Sequence, residues 1–119
     1  MPNIGDIIEI IIDILTPNLR AGTQGTIVHC HNEAAYEVEL TNEEGETLDF
    51  MALSTEQFVV VWLAETQEWV SVAQKTAAIV GNLPEEAANE ILDFARFLSV
   101  KSNLRTGKIS SQTISLQQA

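Results

Sequence analysis

The chain has 119 residues, 45% hydrophobic and 19% charged, which suits one compact domain with an appendage and not two full cores. Seventeen acids against six bases give a formal charge of −11, and the single cysteine, Cys30, excludes an internal disulfide and a cysteine-cluster zinc site. No run of 18 apolar residues is present to span a bilayer, and Met1-Pro2-Asn3-Ile4 does not start a basic, apolar signal sequence; the expectation is a cytoplasmic protein with no membrane role.

The charge is segregated along the chain. Residues 1–62 carry 11 acids and one base, Arg20, whereas residues 99–119 carry Lys101, Arg105 and Lys108 and no acid. An acidic N-terminal half repels phosphate backbones, so a nucleic-acid role is not expected. The same field attracts a basic protein and speeds their encounter.

From Ile4 to Ile14 the apolar residues alternate, with Ile8, Ile10 and Ile12 on one face, which predicts a half-buried first strand. Pro17 and Gly22 interrupt it with a turn. Thr26–His31 reads as the second strand, with Gly25 before it fitting a bulge or a close backbone approach. In Tyr36-Glu37-Val38-Glu39-Leu40 the residues Tyr36, Val38 and Leu40 point in and the two acids out. Asn42-Glu43-Glu44-Gly45 is a hairpin turn with Gly45 free to take positive φ, and Thr47–Leu53 returns from it. Ser54–Gln57 reads as one helical turn, and Phe58–Trp62 as a last short strand. Five short strands in some sixty residues predict a small closed barrel, SH3-like in size.

Ile4-Gly5-Asp6, Gly22-Thr23-Gln24-Gly25-Thr26-Ile27-Val28, Ala35-Tyr36-Glu37-Val38-Glu39 and Glu44-Gly45-Glu46-Thr47 together resemble a small uncharacterised bacterial family with an IGD…GxxGTIV…AYEVEF…G.T pattern. The resemblance covers residues 3–62 and implies an SH3-like barrel. It implies no activity.

The second half is helical in pattern. Trp69, Val72, Ala73, Ala77 and Val80 share one helical face in a segment running from Glu68 to Val80, ended by Gly81-Asn82. Leu83-Pro84-Glu85-Glu86 starts a second helix over residues 84–100, about 25 Å long, with Pro84 at its first position and acids at the positive end of its dipole. Ala88, Ile91, Leu92, Phe94, Ala95, Phe97 and Leu98 make its apolar stripe wider than one contact surface requires, so these residues are the candidates for a partner-binding or homodimer seam. The run Leu83–Leu98 resembles the short LPEEL..EVLDF..FL domain of bacterial antitoxin-like proteins, over about residues 72–101. That resemblance implies protein–protein contact with a toxin-like partner; such chains are short or follow a DNA-binding element, whereas here an acidic barrel precedes the motif. Residues 102–119 are polar and read as a mobile tail, with Ile109, Ile114 and Leu116 as anchors for a partner.

His29-Cys30-His31 is the sole metal-like or nucleophile-like cluster. On a strand the two histidines share a face and could take a metal with Glu37 or Glu39, while Cys30 points away from both, which removes a thiolate–imidazole pair. The alternative is two exposed histidines flanking a buried thiol. The acidic turn 42–46 lacks the twelve-residue pattern of a calcium loop, and no phosphate-binding glycine loop is present. Trp62 and Trp69 read either as a ligand platform or as pins holding the helices to the barrel.

The expectation is therefore an α+β protein: a five-stranded SH3-like barrel (1–62), a helical hairpin (63–101) and a flexible tail (102–119). Its expected function is a non-enzymatic interaction module, antitoxin-like, that dimerises or binds a basic or toxin-like protein without catalytic residue or cofactor. The alternative is a metal- or ligand-binding regulator using the barrel face at His29 and His31.

Overall fold

Alternation of inward apolar and outward polar residues builds a sheet from the first 69 residues. The computed structural model describes residues 1–16 and 18–106, without the side chains of residues 104–106. Among the described residues six strands are present: β1 (Ile7–Ile10), β2 (Gln24–Asn32), β3 (Ala35–Thr41), β4 (Thr47–Ser54), β5 (Phe58–Leu63) and β6 (Glu68–Trp69). Two helices follow, α1 (Val72–Val80) and α2 (Glu85–Thr106). The fold is α+β. The chain divides into two compact units, Met1–Asn82 and the remainder from Leu83.

The sheet order is β4-β3-β2-β1-β5-β6, with every pairing antiparallel. Ile8, Ile10, Ile27, Val38 and Leu40 are fully buried and form the core with Tyr36, Leu53 and Phe58. Each such side chain contributes roughly 1.5–3 kcal/mol by leaving water. Tyr36 and Phe58 meet edge to face at 5.8 Å, which fixes β3 against β5 across the core. The inward positions of β3 are those its alternation predicts.

The expected closed five-stranded barrel is not formed: among the described residues β4 and β6 remain at opposite edges of an open sheet. The sixth strand explains this. β6 is two residues long and pairs only through Trp62↔Trp69 and Leu63↔Glu68, too short a strip to reach an eight-residue edge strand. It turns back at Gln67, which takes φ 57° and donates its N–H to the Leu63 carbonyl at 2.7 Å. Trp69 thus lies on a strand rather than on the first helix. The two tryptophan rings stand 6.4 Å apart as a cross-strand pair, so they staple a hairpin.

Helix α1 consequently starts at Val72, four residues later than the periodicity suggests. Ser71 supplies the start: its Oγ accepts from the Gln74 N–H at 3.1 Å and the Gln74 side chain accepts from the Ser71 N–H at 3.1 Å. The helix packs against β5 within the same unit. Ser54–Gln57 is a tight turn and not a helical one; the Gln57 side chain accepts from the Ser54 N–H at 2.8 Å, only half of that reciprocal arrangement. The first strand also ends early. Ile12 is 37% exposed, and Leu19, in the expected turn, enters the core instead, held by reciprocal Ile14–Leu19 backbone bonds of 2.7 Å. Helix α2 runs on to Thr106, so the tail expected from Ser102 is helical for its first five residues; Ile109, Ile114 and Leu116 lie outside the described residues.

Two positions constrain the sheet strongly. A Cβ on Gly25 would sit 2.7 Å from the Glu39 carbonyl oxygen and 2.7 Å from Val38 Cγ1, so β2 and β3 can approach only over a glycine. Asp6 is 1% exposed, and its carboxylate accepts the N–H of Asn3 at 2.9 Å and that of Ala64 at 2.9 Å. Gly25→Ala is expected to cost about 2 kcal/mol in urea denaturation, from overpacking against backbone. Gly22→Ala, at φ 97° with open space around it, should cost about 1 kcal/mol from the left-handed conformation alone. Asp6→Ala leaves two N–H groups without their acceptor and should cost about 3 kcal/mol, with Asp6→Asn at about half that loss.

Candidate functional site

Among the described residues of the second unit, helix α2 carries the exposed large apolar side chains. Pro84 opens it, its carbonyl accepting from the Ala88 N–H at 3.0 Å, and Glu85 and Glu86 lie in the first turn. At 22 residues the helix is about 33 Å long. Ile91, Leu92, Phe94, Phe97 and Leu98 are between 41% and 59% exposed.

Helical geometry sorts the candidate residues. Ala88, Ile91, Phe94, Ala95 and Leu98 fall on one stripe, with the two alanines seven residues apart as its low points. Leu92 widens the stripe on one side. Phe97, about 120° around from Ile91, widens it on the other. Phe94 and Phe97 stack with centroids 6.1 Å apart and planes inclined by 24°, and Lys101 Nζ lies 5.9 Å from the Phe97 centroid. Arg96 and Asp93 pair at 3.1 Å on the outer surface, an exposed contact worth little. Glu90 and Lys101 rim the Phe97 side of the stripe. Neither belongs to the apolar periodicity; their 11-residue spacing, three helical turns, places them on one flank.

Charge separates the two units as well. Met1–Asn82 carries 13 acids and two bases, whereas the remainder carries four acids and four bases. The apolar helix therefore sits in a segment with no net charge, where association is not opposed by self-repulsion within the segment.

On the sheet, His29 and His31 share a face as read, with rings 5.0 Å apart and nearly perpendicular. His31 Nε2 lies 2.9 Å from Glu37 Oε1, on the adjacent strand. Cys30 turns inward and packs against the core. A bulge at Val28 sets this register, pairing His29 with Glu37. Among the described residues no three His, Cys, Asp or Glu side chains converge as a metal site. The strand thus presents one imidazole–carboxylate pair, with a second imidazole beside it and the thiol on the opposite face.

Two of the recesses among the described residues lie on the sheet unit. The larger, about 720 Å³, opens among Ala21, Gly22, Gln24, Thr41, Asn42 and Leu48, and its one ionisable side chain is Glu43. The smaller, about 330 Å³, lies where α1 meets β5, between Val59, Val60, Val70 and Ala78. Neither contains His29, Cys30 or His31. Among the described residues no helix is long and apolar enough to cross a membrane.

With this geometry in place, the comparisons with known proteins are narrow. Residues 4–60 match the family model described as Domain of unknown function (DUF4926), just under half of the chain. No curated protein and no solved structure matches. The matched span ends within β5, so the sheet is similar to an uncharacterised domain, and β6, α1 and α2 lie beyond it.

Proposed function

We propose that this protein is a non-enzymatic protein-interaction module whose contact element is α2. The observation that carries the reading is the exposure of Ile91, Leu92, Phe94, Phe97 and Leu98 along one long helix. An uncovered apolar surface of that kind marks a protein contact. The resemblance of Leu83–Leu98 to antitoxin-like chains agrees with a binding role. In this reading the acidic sheet unit is the carrier. Its charge keeps an apolar helix in solution and draws in basic surfaces. The β2–β3–β4 meander and the return of β5 onto β1 support an SH3-like ancestry for that carrier, with the barrel left open.

A photo-crosslinking phenylalanine analogue at Phe94, in the full chain expressed in its own host, tests this. The expected result is one discrete adduct, to a second copy or to another protein, absent when the analogue replaces Glu44 on the β3–β4 hairpin. No adduct from Phe94 above the Glu44 background overturns the reading.

A further inference from the structure

The contact helix carries its own complement. We infer that the occupant of the α2 face is a second copy of α2, laid antiparallel across it; this rests on the interaction reading above and names its partner. The acids Glu85, Glu86, Glu90 and Asp93 occupy the first half of the helix, and the described bases, Arg96 and Lys101, the second. Parallel pairing would set acid on acid and align the two dipoles unfavourably. Antiparallel pairing sets acid on base and opposes the dipoles.

The stripe narrows this to one register. Glu90 and Lys101 are 11 residues apart, about 20° from each other around the helix and about 16 Å along it. Both are exposed and stand on the same flank. In an antiparallel pair related by a two-fold axis, like flanks meet across the seam. An axis near Ala95–Arg96 brings Glu90 of each copy beside Lys101 of the other. Lys101 then exchanges its contact with its own Phe97 ring for a carboxylate. Ala88 and Ala95 permit close approach of the two backbones, and Ile91, Phe94 and Leu98 fill the space between. Phe97, on the charged flank, lies between the two ion pairs and shields the seam from water.

Sedimentation equilibrium of the full chain in 0.15 M salt reads the result. The native chain is expected to dimerise. Glu90→Lys and Lys101→Glu each turn two attractions into repulsions and should weaken the dimer about tenfold. The double variant Glu90→Lys/Lys101→Glu restores the pairing with signs exchanged and should return to within about threefold of native. Circular dichroism of all three should match the native chain, since both positions are exposed. A native dimer whose double variant stays weak overturns the antiparallel register. A native chain that is monomeric at about 0.1 mM overturns the second copy as occupant. In that case a crosslink from Phe94 to a different protein leaves the interaction reading standing, and the absence of any crosslink removes both.

Discussion

The buried carboxylate of Asp6 holds together parts of the sheet that strand pairing alone leaves loose. One oxygen accepts the N–H of Asn3, at the start of the chain, and the other that of Ala64, just past β5. The backbone of the same turn reaches β2, with the Gly5 N–H on the Ile27 carbonyl at 2.8 Å and the Ile27 N–H on the Asp6 carbonyl at 3.0 Å. Burying a carboxylate is costly, and charge-assisted bonds to fixed backbone donors offset that cost. Gly5 makes the approach feasible: a Cβ there would stand 3.1 Å from that of Ala64. The four-residue β1, flanked by β2 and β5, is thereby fixed in the middle of the sheet by groups outside it.

With β1 pinned, the end of β5 determines whether the sheet can close. The strand β5 ends at Leu63. Gln67 reverses it, Trp69 returns onto Trp62, and Ser71 starts a helix two residues later. Local turn and capping chemistry therefore ends the sheet on this side. The helix that follows packs on β5 instead.

The strands with strict alternation were legible in the sequence, because a period of two has one interpretation when every second residue is apolar. Tyr36–Leu40 is the example, and the Gly45 turn with φ 84° follows from the same logic. Trp69 was not legible, because Trp69, Val72 and Ala73 satisfy a helical period that the segment adopts only from Val72. Leu19 was hidden by its polar neighbours, since the bonds that return it to the core involve only backbone. Asp6 stood out as part of a motif, yet its partner Ala64 lies 58 residues away and no local pattern couples them. The α2 stripe was readable from periodicity. The extension of α2 to Thr106 was not, because the composition after Val100 is polar.

Among the described residues the open sheet leaves β4 with one unpaired side, and that strand carries Leu48 and Phe50 in exposed positions. Such an edge ordinarily invites strand addition and aggregation. Here the Asp49 carboxylate accepts the N–H of Phe50 at 2.8 Å, so a donor that an incoming strand would use is already occupied by a charged group. The hairpin before it bears Glu43, Glu44 and Glu46, organised around the Asn42 side chain, which accepts from the N–H groups of Glu44 and Glu46. The edge is thus guarded by acidic side chains rather than by barrel closure. Part of the chain's excess acidity acts as a barrier to polymerisation through the sheet.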